Sequence, residues 1–180
     1  MGYRHSREQL LDAATGLALD EGLGALTFGR VADRLGIADR TVVYYFPTKT
    51  ALETAVVTAL SVRLQALLHE AFGDEPQPVG VLARRAWPVL AHREADPVFS
   101  VFFQVVGRGA AGEEPYVELS ASLVEGWVAW LEPLVAEPTR EARRSAALAL
   151  MAQLDGLLLI RLVGGARRAN TAARRLGVLV

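Results

Sequence analysis

Apolar residues recur three and four positions apart along the whole chain, and no stretch shows the two-residue alternation of a half-buried strand. A pattern of that period buries its hydrocarbon by packing helix on helix, so the expected fold is all-α. Proline, glycine and capping hydroxyls cut the pattern into about nine helices. Ser6, with Gln9 three residues on, reads as a capping box that opens a helix carrying Leu10, Ala14 and Leu17 as far as Gly22. Thr27 opens a short second helix with Val31, Ala32 and Leu35. Gly36 turns the chain, and a third short helix spans about Ala38 to Tyr45, stopping before Pro47. Thr48 caps a long fourth helix running through Leu52, Val56, Leu60 and Leu67 towards Phe72. After a loop at 73–78, a fifth helix is expected over 79–94, bent at Pro88. Asp96-Pro97 reads as cap and first residue of a sixth, ending within 107–112. Pro115 and Pro138 open a seventh and an eighth, the latter closed by Gly164-Gly165, and 167–178 form a ninth.

The chain has no cysteine, which excludes disulfides and thiolate metal sites and fits a reducing cytoplasm. Its start is polar, without the apolar core of a signal peptide. The longest apolar runs, 146–154 and 156–160, are split by Asp155 and fall short of the roughly 18 residues of a spanning helix. A soluble cytoplasmic protein with no membrane partner is expected. His5, His69 and His92 are dispersed, with no metal-ligand spacing, and read as surface residues. No nucleophilic triad, phosphate loop or paired inward carboxylates stand out, so neither an enzyme nor a cofactor is expected. Residues 1–49 balance six basic groups (Arg4, Arg7, Arg30, Arg34, Arg40, Lys49) against six acidic ones (Glu8, Asp12, Asp20, Glu21, Asp33, Asp39). Nucleic-acid binding here must come from placement of a few groups rather than from a basic stripe.

Such placement is legible between Thr27 and Lys49. Two short helices joined by a glycine turn cross closely, and Ala32 is the small residue wanted at the crossing. Val31, Leu35, Ile37 and Val42 make a wedge that leaves Asp39, Arg40, Val43 and Tyr44 on the outer face, with Thr41 near the helix start. Of the two tyrosines, Tyr44 is the one expected outside and Tyr45 the one towards the core. Thr27 and Thr48 each set a hydroxyl at the positive end of a helix, a place suited to phosphate. Lys49, the only lysine, begins the fourth helix and suggests a backbone clamp, while Arg4 and Arg7 form a short arm.

This segment resembles the helix-turn-helix of the tetracycline-repressor-like (TetR) family of transcriptional regulators. The shared pattern is Val31-Ala32, Leu35-Gly36-Ile37, Thr41, Tyr44, Phe46-Pro47-Thr48-Lys49 and Leu52, without gaps. The resemblance implies a helix-turn-helix DNA-binding domain at 1–48 and a ligand-sensing and dimerisation bundle at 49–180. It also implies a homodimer that reads a near-palindromic operator in double-stranded DNA and answers to a small-molecule effector, most often as a repressor. On this reading the DNA-binding residues are Thr27, Arg30, Asp39, Arg40, Thr41, Val43, Tyr44, Tyr45, Thr48 and Lys49. Ala38 stands where the family often has a hydroxyl cap, and Asp39 can replace it by starting the helix one residue later. Val43 and Tyr45 stand where tyrosine and histidine are common, which leaves the bases contacted open.

The aromatics Trp87, Phe99, Phe102, Phe103, Trp127 and Trp130 either line a ligand cavity between the fifth to eighth helices or fill an ordinary core. Trp87, Phe99, Phe103 and Trp127, with Gln153 as a polar contact, are the candidate ligand residues. Gln104 and Ser122 either orient a ligand or bond a neighbouring helix. The eighth helix is apolar nearly all round and needs cover on both sides. Its small-residue side suggests a dimer contact through Ala149, Gln153, Gly156, Ile160 and, from the ninth helix, Leu176. The alternative to a regulator is a helical-bundle small-molecule-binding protein or enzyme without DNA binding.

Overall fold

A computed structural model describes residues 6–179, so the expectations for Arg4 and His5 lie outside the described residues. Among these residues the helices are α1 (Arg7–Glu21), α2 (Phe28–Leu35), α3 (Asp39–Tyr45), α4 (Lys49–Phe72), α5 (Val79–Leu90), α6 (Asp96–Ala110), α7 (Tyr116–Leu131), α8 (Arg140–Gly164) and α9 (Ala166–Arg175). Short 3-10 turns at Leu23–Ala25 and Glu132–Leu134 complete the order. The only extended pairing among the described residues is a single parallel bridge between Gln77 and Val135.

The caps form as their sequences dictate. Ser6 and Gln9 exchange both bonds of the capping box. Thr27, Thr48 and Thr139 each accept an amide of the first turn of α2, α4 and α8. Each such bond contributes about 1 kcal/mol to its helix. Asp96 departs from expectation. It lies inside the first turn of α6 rather than capping it, and its carboxylate binds Arg161 of α8 at 2.6 and 3.0 Å. A bidentate charged partner outweighs a cap bond. Helix α5 stops at Leu90, short of 94, because Pro88 removes a ladder bond and the weakened helix ends two residues later.

One apolar core runs from the N-terminal helices into the bundle. Leu10, Ala14 and Leu17 of α1 meet Val31, Ala32 and Val42 of α2 and α3, and continue into Leu52, Val56 and Leu60 of α4. Further along α4 the buried residues are Leu64 and Leu68, while Leu67 is exposed. The helical period of 3.6 carries the buried stripe from 60 through 64 to 68, leaving 67 to one side. Helices α4 and α8 have the length and hydropathy of membrane-crossing segments, but each packs lengthwise on its neighbours within this bundle.

Besides this shared core, the N-terminal helices meet α6 of the bundle through a polar contact at Gly22 and Leu23. Gly22 has φ +85° and ψ 168°, which a side chain rarely adopts. A Cβ there would also stand 3.2 Å from the Gln104 amide. Freed of that clash, Gln104 accepts the Leu23 N–H at 2.9 Å and donates to Ser100. Gln104 thus bonds a neighbouring element, the second of its two sequence-based alternatives.

Candidate nucleic-acid interface

The α2–α3 turn explains how a seven-residue helix comes to face outward. Gly36 takes the left-handed conformation (φ +65°, ψ 36°), and the Ile37 N–H returns to the Ala32 carbonyl at 3.1 Å. Val31 and Val42 are sealed between the helices, and Ala32 lets them approach. Ala38 caps α3 with backbone alone, while the Asp39 carboxylate accepts the Arg40 N–H at 2.8 Å in the first turn.

That packing presents Asp39, Arg40, Val43 and Tyr44 to solvent, with Thr41 half-buried. Tyr44 is 81 % exposed, whereas Tyr45 packs partly against the core with its ring edge-on to Tyr44 at 5.0 Å. Thr48 and Lys49 begin α4 immediately beside this face, both accessible. Thr27 is exposed at the start of α2. Arg30 is exposed too but is held by Glu21 of α1, with both carboxylate oxygens 2.6 Å from one guanidinium nitrogen. An open pair of this kind is weak enough for a phosphate to displace the carboxylate. Arg7 stacks on the Phe46 ring, 4.9 Å from its centroid, placing one positive charge at the α1 terminus. Asp33 and Arg34 are solvated, and Arg34 pairs with Asp20.

Beneath Lys49 lies a group that the sequence reading missed. Glu53, one turn further along α4, is 1 % exposed. Lys49 Nζ is 3.6 Å from its Oε1, the Tyr116 hydroxyl donates to its Oε2, and Oε1 has no hydrogen-bond partner among the described residues. Burial, followed by this bond, pushes the Tyr116 phenol up to about 12, so it remains a donor throughout the neutral range. Arg108 of α6 covers the Tyr116 ring at 3.6 Å and binds Glu113 at 2.7 Å. The i,i+4 spacing of Lys49 and Glu53, with the acid beside the apolar stripe, was the available signal.

The bundle also holds a cavity of about 70 Å³, open at its mouth, between α4, α5, α6, α7 and α8. Phe99, Phe102, Phe103 and Trp127 lie on its wall, as does Asp155, which was not among the candidates; Trp130 does not line it. Trp87 and Gln153 do not line it; the Trp87 indole instead donates to Asn170 of α9 at 3.3 Å. Ser122 lines a separate groove between α4 and α7. On the opposite side of α8, Ala149, Gly156 and Ile160 are exposed with Leu176, and Gln153 is half-buried.

Residues 10–56, which span this reading head and the start of α4, match the family model of bacterial regulatory proteins of the tetR family. Over these residues the chain carries a DNA-binding head of the tetR type. Solved structures of TetR regulators share its fold over nearly the whole length. A TetR-family transcriptional regulator from Rhodococcus sp. has a TM-score of 0.74 at 17% identity, with 96% of this chain and 94% of that one covered. A TetR transcriptional regulator from Legionella pneumophila gives 0.69 at 17%, covering 98% and 97%. The multidrug binding protein EbrR, solved in complex with imidazole, gives 0.66 at 24%, covering 98% and 93%. No curated protein sequence matches the chain. At these identities the structural likeness is one of fold, and the reading head carries the family assignment. The matched segment is the DNA-binding part of TetR-type transcriptional regulators.

Proposed function

We propose that the protein is an effector-responsive repressor, binding a near-palindromic operator as a homodimer in the cytoplasm. Each protomer lays α3 in a major groove, with the two copies about 34–36 Å apart or a multiple of that. Arg40, Val43 and Tyr44 meet base edges, and Asp39 accepts from a cytosine or steadies Arg40. Thr27, Thr48 and Lys49 take phosphates, with Arg30 joining when it leaves Glu21. The observation that carries this reading is an 81 % exposed Tyr44 near the end of α3 followed by an accessible Lys49 at the start of the next helix, α4.

Two further features support the finer parts. The cavity borders α4, α6 and α7, the helices that bear Glu53, Arg108 and Tyr116, so a molecule that shifts α6 or α7 acts on the carboxylate under Lys49. An effector that favours the shifted arrangement lowers the DNA-competent population in proportion to its differential affinity. The apolar outer side of α8, where Val163 is 80 % exposed, supplies a face for a second protomer.

The test is binding of the purified protein to the DNA flanking its own gene, with footprinting and two variants. Lys49→Ala is expected to weaken all duplexes alike and lower the salt slope by about one. Arg40→Ala is expected to relax preference at particular base pairs, by about 1–3 kcal/mol each. Unchanged affinity of both variants for every duplex would remove the DNA-binding assignment.

A further inference from the structure

The cavity differs from an ordinary core gap in one respect: a single ionisable group, Asp155 of α8, lines it. Every other lining residue, from α4, α5, α6, α7 and α8 alike, is hydrocarbon, aromatic or thioether. Among the described residues Asp155 has no hydrogen-bond or ion-pair partner, and burial alone acts on it, raising its carboxyl to about 6. Arg161, further along α8, is already bound to Asp96. An unpartnered carboxylate in such surroundings is costly unless a positive charge arrives to meet it.

The remaining wall suits that charge. Phe99 and Phe102 meet at 6.1 Å and 61°, and Phe102 and Trp127 at 6.5 Å and 86°, so three rings form a continuous edge-to-face arch. Phe103 and Met151 extend the apolar lining. Aromatic faces attract a cation and apolar walls hold its hydrocarbon, while the same carboxylate disfavours an anion. We propose that this cavity takes a lipophilic cation, an organic ammonium or phosphonium whose charge rests on Asp155 within the aromatic arch. This rests on the reading of the cavity as the effector site and specifies what enters it.

The experiment compares methyltriphenylphosphonium with triphenylphosphine oxide, a neutral molecule of nearly the same shape, by calorimetric titration of the full chain. The phosphonium is expected to bind at least about tenfold more tightly near pH 7.5. Asp155→Asn is expected to remove about that factor while leaving the oxide within about threefold. A pH series on the unaltered protein provides a second readout that does not depend on how the variant folds. Protonation of Asp155 below about 6 should weaken the phosphonium by up to about tenfold and spare the oxide. Equal binding of the two probes, or a flat pH profile, overturns the cation assignment and leaves the effector cavity standing. Failure of both probes to bind overturns the assignment as well. Tight phosphonium binding that leaves operator affinity unchanged overturns instead the reading of the cavity as an effector site.

Discussion

The phenol of Tyr116, the first residue of α7, donates a 2.5 Å hydrogen bond to Glu53 Oε2, and both side chains are buried. Glu53 stands one helical turn from Lys49, the residue proposed to hold a DNA phosphate. A helix of the bundle therefore grips the carboxylate that sits beneath the proposed DNA clamp. Elongated helices transmit such contacts well because a packed core permits discrete arrangements rather than graded deformation.

Tyr116→Phe removes this donor and leaves a buried carboxylate with the partial cover of Lys49. The expected loss is about 1–3 kcal/mol of unfolding free energy, read from urea denaturation near neutral pH. Adding Glu53→Gln should restore part of it, since an uncharged amide is cheaper to bury. The variant should also weaken operator binding, and that effect should shrink in a Lys49→Ala background if the lysine is the route of coupling. Tyr116→Phe with unaltered stability would mean the bond contributes nothing.

Asp155 gives a pH signature that needs no ligand. Burial raises its folded-state carboxyl from 3.8 to about 6, so the native state holds an extra proton across that window. The contribution to stability is complete below the unfolded value and is lost as pH rises through about 6. Asp155→Asn lacks this term. The difference in stability between the variant and the natural protein should grow in the variant's favour from pH 4 to pH 7, reaching about 1–3 kcal/mol. Taking the difference cancels the other carboxylates, such as Glu125, which Arg144 holds below its usual range. Parallel stability curves would show that the cavity solvates Asp155 well.

The joint between Gly22 and Gln104 offers a local rather than global test. Gln104→Ala strips the acceptor from the half-buried Leu23 N–H, a change expected to cost about 1–3 kcal/mol. Gly22→Ala is strained by its φ of +85° and crowds the same amide. Hydrogen exchange should quicken first around residues 22–26 in both variants, with the α8–α9 amides protected as before. Uniform acceleration throughout the chain would show that the joint has no local character.

The division between what was legible and what was not follows the range of the interactions. The α2–α3 head depends on neighbours in sequence: Ala32 at the crossing, Gly36 in the turn, Pro47 ending α3 and Thr48 restarting the chain. Each acts within a few residues, so its effect shows in the order of residues alone. Glu53 and Tyr116 are 63 positions apart, and Leu23 and Gln104 are 81 apart. Their pairing exists only once the bundle is assembled. Asp155 was read as a break in an apolar run, because which side of α8 it occupies depends on where α6 and α7 lie. Trp87 illustrates the converse: its size marks it equally for cavity or core, and Asn170 of α9 decides its place.

The outer side of α8 yields the last prediction. Leu148, Leu159, Ile160 and Val163 are exposed there beside Ala149, Ala152 and Gly156, an arrangement that a lone protomer leaves in water. A Cβ at Gly156 would meet nothing within 4 Å in the protomer, and alanine in place of helical glycine even favours the helix. Gly156→Arg should therefore leave the protomer folded while placing charge and bulk in the middle of any α8 contact with a second chain. Sedimentation is expected to show a dimer of the natural protein at about micromolar concentration and a monomer of the variant, a shift that requires several kcal/mol of lost association energy. Operator affinity should fall with it for a two-half-site duplex and remain unchanged for a single half-site, since each reading head is intact. A natural protein that sediments as a monomer at that concentration would show that the α8 side is not the dimer surface.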